Sequence, residues 1–537
     1  MITAIARFSL QVWWKVLAIG ASSFILYRIF RRLKISASNR QKALALGCEP
    51  LQKPKKWNST LGFDALYAYY KHHKNHTLLE FTQKGFFEEC HVKTRPLSVL
   101  GAQVVIYTIE PENLKSILSL DFKSWTRAHG NAALPMKFLG EGIFTAEGEA
   151  WKRSRALVKP SFNKLQLVDL SIFANHFDDL LSVIPNDGVT EVDLQPLFFR
   201  FTLDVATQML FGESTQSLVP ERSKADVREF AETFDRCLEL LGGGGSRGIL
   251  GVLWPGKKYK EDVEFIYAFI DKYVEEASSS LPDSKDAEAA TFLQSLLAEM
   301  PSSKTRTRHE LLNILLAGRD TTASFLSNIF HTLSRRPDIW TRLQAEIAPL
   351  GGQPPTYDGL MGLKYLRAVL NESLRLFPVT PENSRQALCD TTLPLGGGPH
   401  ESSPVFVRKG QIVAWSIWAM HRSKDLYGPD AEEFKPERWL DLDAAKEGSS
   451  EKTGGGAGAG KKGIRPGWGY LPFSGGPRVC IGQQFALVET SYVVVRLMQC
   501  FDRIESANAE EPWREKMTIT CVGRGGCRVF LRSRGEL

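Results

Sequence analysis

Between Phe473 and Gly482 the chain reads Phe-Ser-Gly-Gly-Pro-Arg-Val-Cys-Ile-Gly, and this stretch constrains the fold more than any other. A glycine pair and a proline deny a helix to the residues before Cys480, while residues 483–497 carry an apolar, helix-forming pattern. The cysteine is therefore predicted on a tight loop that feeds a helix N-terminus. Backbone N–H groups and the positive end of the helix dipole favour a thiolate there, and a thiolate is the form that ligates metal. A cysteine taken alone is more often a small buried hydrophobe.

Phe473, Gly476, Arg478, Cys480 and Gly482 together resemble the haem-binding loop of the cytochrome P450 family. The resemblance implies that Cys480 is the proximal ligand of haem iron, that Phe473 covers its sulfur, and that Arg478 binds a haem propionate. It also implies the family's fold: mainly α-helical with small β-sheets, the haem lying between a long central helix and the cysteine loop.

A length of 537 residues allows about three domains but also suits one large helical enzyme domain, and 43% apolar residues supply a large core. The formal charge of +7 is local: residues 1–60 hold 11 Lys/Arg against one acid, leaving 56 against 59 in the remainder. A basic N-terminal arm points to anionic lipid rather than to nucleic acid, which would need a basic face on the folded body. Eight scattered cysteines without metal-ligand spacing suit a reducing compartment; Cys521 and Cys527, with glycines between them, read as a terminal β-turn.

The stretch Phe8 to Tyr27 is mostly apolar and followed at once by Arg28, Arg31, Arg32 and Lys34. It has the length of a membrane-crossing helix whose positive flank stays cytoplasmic, although Arg7 and Lys15 leave a helix lying in the interface open. The organisation expected is an anchor over residues 1–35, a polar linker over 36–57 and a catalytic domain over 58–537, on the cytosolic side of the endoplasmic reticulum membrane. The residues from Val99 to Ile109 read as strand, and helical patterns dominate from Glu112 onward. Two glycine-rich stretches, Gly242 to Gly245 and Gly448 to Gly463, read as surface loops; the second mimics a phosphate loop but has Lys462 where Ser or Thr is required.

Residues 305–333 read as one long helix with Leu311, Leu312, Leu315 and Leu316 on an apolar face and with Gly318, Arg319, Asp320 and Thr321 in its middle. A mid-helix glycine costs about 1 kcal/mol against alanine, and an acid in an apolar helix costs more unless paired, so a site is suspected there. The segment Ala317-Gly318-Arg319-Asp320-Thr321-Thr322 resembles the family's oxygen-activation motif. Its implied roles pass to Gly318, which opens a groove for O₂, and to Asp320 and Thr321, which deliver protons. Glu372 and Arg375 fall on one helical face and can pair; with Arg438 in Pro436-Glu437-Arg438-Trp439, they match the family's structural triad beside the haem. Trp151 and Arg155, four residues apart, match its pair near the propionates, and Arg385 is a further propionate partner.

Ala317 to Ala323, Thr392 to Gly398, and Tyr470 to Phe473 with Gly482 to Leu487 are similar to fungal n-alkane and fatty-acid terminal hydroxylases. The resemblance implies a monooxygenase that uses haem b and O₂ to hydroxylate a long-chain apolar substrate at or near its end. Fungal relatives also act as tailoring hydroxylases of secondary metabolites such as polyketides or terpenoids. The remaining alternatives are a haem-thiolate isomerase or dehydratase and a non-catalytic haem sensor, and Asp320 and Thr321 argue against both. No flavin or nicotinamide module is present, so electrons are expected from NADPH through a separate reductase. Its docking face is placed at Lys152, Arg153 and Lys159. The distal wall is expected from Ala317, Ala323 and Phe325, the loop from Arg127 to Phe144, and the segment from Pro378 to Asn383.

Overall fold

The computed structural model describes residues 37–534, apart from 55, 58–61, 100–101, 128–137, 163–168, 220, 224, 242–255, 280–290, 301–302 and 442–462. The expected anchor at Phe8 to Tyr27, the first glycine-rich stretch and nearly all of the second lie outside the described residues. Among the described residues no helix is long and apolar enough to cross a membrane.

Six helices carry the site: α1 (Gly148–Val158), α2 (Leu194–Phe211), α3 (Ala225–Leu241), α4 (Lys304–Leu333), α5 (Lys364–Leu376) and α6 (Gln483–Cys500). Their ends follow local chemistry. The Asp193 side chain accepts the Gln195 N–H to cap α2, which stops at Gly212 in the left-handed region at φ 81°. Helix α4 has 30 residues, which makes it roughly 45 Å long at 1.5 Å per residue. It threads two apolar cores. Its first half packs Leu311, Leu312, Leu315 and Leu316 into one, and its second half packs Phe325, Leu326, Ile329 and Phe330 into the other. The polar stretch from Gly318 to Thr322 falls at the seam.

A five-stranded sheet stands beside the helices: β1 (Thr94–Val99), β2 (Ala102–Thr108), β3 (Trp125–Arg127), β4 (Glu382–Ala387) and β5 (Ile412–Ser416), in the order β1-β2-β5-β4-β3. Only β2 and β5 run parallel. The single strand expected over Val99 to Ile109 is thus the second arm of a hairpin whose first arm, broken by Pro96 in its middle, gave no clean alternation. Part of the stretch expected as a linker is bonded to the body: the Glu49 N–H donates to the Pro404 carbonyl (2.9 Å) and the Gly398 N–H to the Pro50 carbonyl (3.0 Å). All eight cysteines are free thiols.

Candidate functional site

A cavity of about 400 Å³ opens at the seam of α4, and Cys480 lies on its wall. The loop before α6 explains why. Gly476 sits at φ +66°, and any Cβ there would overlap the Leu118 carbonyl, so only glycine fits. Ser474 also takes a positive φ of 62°. The Cys480 N–H donates to the Phe473 carbonyl at 3.0 Å, closing the loop on itself. Cys480 lies deep in the molecule yet counts as exposed because its surface faces the cavity. Burial pushes its thiol up; the Gly482 N–H and the charge of Arg155 pull the other way without overcoming it. A thiolate here is completed by a cation at the sulfur, which is what an iron ligand requires.

Facing it, α4 offers Ala317, Gly318, Thr321, Thr322 and Phe325 to the cavity. A Cβ on Gly318 would meet only the Ala206 methyl, at 3.7 Å, so this glycine leaves open space rather than permitting a close contact. The Thr321 hydroxyl donates to the Ala317 carbonyl at 2.6 Å. Asp320 does not line the cavity. Its carboxylate pairs with Arg319 at 2.9 Å, and Arg319 pairs in turn with Asp235 of α3 at 2.5 Å. Burial raises the Asp320 carboxyl to about 6, against the pull of Arg319. Asp320 and Arg319 are buried while the Asp235 side chain is 55% exposed, so a chain of charges runs from the seam of α4 to solvent.

Four arginines, Arg127, Arg155, Arg385 and Arg478, line the same cavity. Register puts two of them together: Arg127 of β3 pairs directly with Arg385 of β4. Like charges opposite one another on adjacent strands repel. Burial, then Arg478 and Arg127, lower Arg385 to about 10. Glu147 answers one of the four charges, accepting from Arg478 at 2.6 Å. The guanidinium groups of Arg127 and Arg155 form no hydrogen bond or ion pair among the described residues. Trp151, buried, has Arg478 over its ring at 4.5 Å and Arg155 at 6.0 Å. An apolar slot with a thiol on one wall and surplus guanidinium charge at its edge fits a flat, iron-bearing macrocycle with two carboxylates, and so fits haem.

Behind the cysteine loop, the carboxylate of Glu372 accepts from Arg375 (2.8 Å), Arg438 (2.8 Å), Trp439 (2.9 Å) and the Lys435 N–H (2.8 Å). Arg375 also donates to the carbonyls of His421, Ala431 and Glu433. Both members of the Glu372–Arg375 pair are fully buried, unlike the solvent-exposed pairs that contribute little. Such a pair fixes geometry more than it adds stability. Phe473 lines the cavity.

Arg127, expected only as the first residue of a distal-wall loop, is set beside Arg385 by strand register. Other lining residues had no signal in the sequence. Ile519 and Thr520, near the C-terminus, reach the cavity, and Thr520 bonds Ser324 of α4 at 3.1 Å. Glu489 of α6 also lines it, 1% exposed, with neither carboxylate oxygen in a hydrogen bond of ordinary geometry. Burial pushes Glu489 up to about 8, with Thr322 close enough to offset a little of that. Glu382, expected in the distal wall, instead faces Tyr107 at 3.4 Å, and burial raises it to about 7.

The family model described as Cytochrome P450 matches residues 78–522. Cytochrome P450 monooxygenase himC of Aspergillus japonicus is 38% identical, covering 96% of this chain and 89% of its own length. Cytochrome P450 monooxygenase FPY7 of Fusarium mangiferae is 37% identical over 98% of this chain and 97% of its own. Cytochrome P450 52A12 of Debaryomyces hansenii is 35% identical over 94% and 95%.

Proposed function

This chain belongs to the cytochrome P450 family, and we propose that it is a membrane-anchored monooxygenase that hydroxylates a long-chain apolar substrate, an n-alkane or fatty acid, at or near its terminal carbon. Haem b held by Cys480 would supply O₂ activation, with electrons from NADPH passed on by a separate reductase. Arg127, Arg155, Arg385, Arg478 and Trp151 bind and orient the haem carboxylates. Phe473 would shield the sulfur, and the Glu372, Arg375, Arg438 triad locks α5 to residues 421–439 on the proximal side of the pocket.

On the other wall, Gly318 leaves room beside the reacting atoms. Thr321 presents a hydroxyl to the cavity, and Asp320 stores a proton near neutral pH. Arg319, which does not give up its own proton, holds that carboxyl in place by charge and ties it to the solvent-facing Asp235, so Asp320 takes up and releases its proton at a fixed, buried position next to Thr321 in sequence. Lys152, Arg153 and Lys159 are exposed on and just after α1 and offer an acidic reductase a complementary face.

The observation that carries the substrate class is the wall itself: Ile143, Phe144, Val205, Ile314, Phe325 and Val379 give the cavity an apolar lining. The resemblance of residues 317–323, 392–398, 470–473 and 482–487 to fungal n-alkane and fatty-acid terminal hydroxylases supports a linear chain. The test is turnover with reductase and NADPH on alkanes, fatty acids and polycyclic lipids, with products located by mass spectrometry. A terminal or near-terminal alcohol is expected. Inert linear chains alongside an oxidised polycycle would overturn the alkane and fatty-acid assignment in favour of tailoring a secondary metabolite.

A further inference from the structure

The segment from Leu139 to Ala146 brings Ile143 and Phe144 into the cavity wall. Three side chains on the first half of α4 hold its backbone. The Glu141 N–H donates to His309 Nδ1 at 3.1 Å, the Ile143 N–H to Glu310 Oε2 at 3.1 Å, and the Phe144 N–H to Asn313 Oδ1 at 3.0 Å. Asn313 Nδ2 donates back to the Leu139 carbonyl at 3.0 Å and to the His309 carbonyl at 2.7 Å. Two glycines permit the close approach: a Cβ on Gly140 would overlap the His309 ring, and one on Gly142 would press on the Asn313 amide.

Glu310 and Asn313 are each 0% exposed and lie on the other side of α4 from Leu311, Leu312 and Leu315. Buried polar side chains cost stability unless they are hydrogen-bonded; here Glu310 Oε2 and Asn313 bond the 139–146 segment, Asn313 also bonds the His309 carbonyl, and Glu310 Oε1 has no hydrogen bond among the described residues. An irregular segment buried against a helix would otherwise leave its own N–H groups unpaired. The two requirements meet in one arrangement, which puts Phe144 at the cavity edge, 40% exposed.

We infer that His309, Glu310 and Asn313 are positioning residues for substrate selection: they hold the Leu139 to Ala146 segment as a fixed lip, so that Ile143 and Phe144 limit how an apolar chain lies in the cavity. The inference rests on the haem-monooxygenase reading, and not on which chain is the substrate.

The test uses the full haem-loaded protein and two probes, 1-methylimidazole and 1-dodecylimidazole, whose ring nitrogen binds ferric haem and shifts its Soret band. Amide hydrogen exchange of the 139–146 peptide is the second readout. For Asn313→Ala and His309→Ala, exchange is expected to speed up and dodecyl affinity to fall, each by roughly tenfold, as for a lost hydrogen bond that leaves a buried group unpaired. Methylimidazole affinity is expected to stay at its parental value. Glu310→Gln, which keeps an oxygen for the Ile143 N–H, should match the parent, whereas Glu310→Ala should not.

Equal losses for both imidazoles, or dodecyl binding unchanged while exchange accelerates, would overturn the inference. The carbon monoxide spectrum of the reduced protein verifies that each variant holds its haem. Should Asn313→Ala fail to do so, the half-buried His309→Ala carries the test. Failure of linear chains to turn over in the parent would sink the fatty-chain assignment and leave these readouts untouched, because the imidazoles report on the lip without being oxidised.

Discussion

Replacing Glu489 by glutamine should make the protein more stable, and by an amount that grows with pH. Burial raises this carboxyl to about 8 from an ordinary value of 4.5. Below pH 4.5 both folded and unfolded chains carry the proton and the group favours neither. Between 4.5 and 8 the unfolded chain ionises first, so stability is lost as pH rises, and the loss levels off above the folded value. At 1.36 kcal/mol per tenfold difference in proton affinity, the full penalty is on the order of 4–5 kcal/mol, with less than about 1 kcal/mol of it present at pH 5. Glutamine is neutral throughout and nearly isosteric. Parent and Glu489→Gln should therefore unfold at similar denaturant concentrations at pH 5 and diverge steadily to pH 8, the variant ahead. Other buried titratable groups, Glu382 and Asp320 among them, cancel in the comparison because both proteins carry them. A parallel infrared titration should find a protonated carboxyl band that is lost near pH 8 in the parent and absent from the variant. A constant difference between the two proteins from pH 5 to 8 would refute the reasoning.

Asp320→Asn should lower turnover by roughly 100-fold while leaving the substrate-induced spectral shift unchanged, because the proton store is lost and the cavity wall is not; steady-state and binding measurements separate the two. Reversing the charges of Lys152, Arg153 and Lys159 should slow reduction by the reductase and flatten its dependence on salt, as followed by stopped flow. Glu372→Gln removes one partner of a fully buried ion pair and should cost about 3–5 kcal/mol, seen as haem loss at lower denaturant concentration.

Much of the fold was legible because α4 and α6 are long and strongly patterned, and the observed Lys304–Leu333 helix begins one residue before the span expected from periodicity. The loop around Cys480 was legible for a different reason: Gly476 has no substitute there, so the backbone demand is written in the sequence. The hairpin arm at Thr94–Val99 was not, because its pattern is broken by a proline and its pairing is decided across the turn.

The candidate site divides in the same way. Cys480, Gly318, Asp320, Thr321 and the Glu372–Arg375 pair sit in short motifs whose members are near in sequence, whereas Arg438 joins that pair from 66 residues beyond Glu372. The pairing of Arg127 with Arg385 joins strands more than 250 residues apart, so no local pattern carries it. The orphan carboxyl of Glu489 and the lip held by His309, Glu310 and Asn313 are likewise products of packing: each residue reads as an ordinary helix position until the neighbouring element arrives. The sequence by itself determined the tight loop around Cys480 and the long helix of residues 304–333, because those depend on backbone limits and short-range spacing, and the resemblance of their motifs to a known family supplied the kind of chemistry expected of them. Only the tertiary structure decided which charges crowd the cavity, which carboxyls lose water and how the apolar wall is held, because burial and long-range register exist only once the chain has folded.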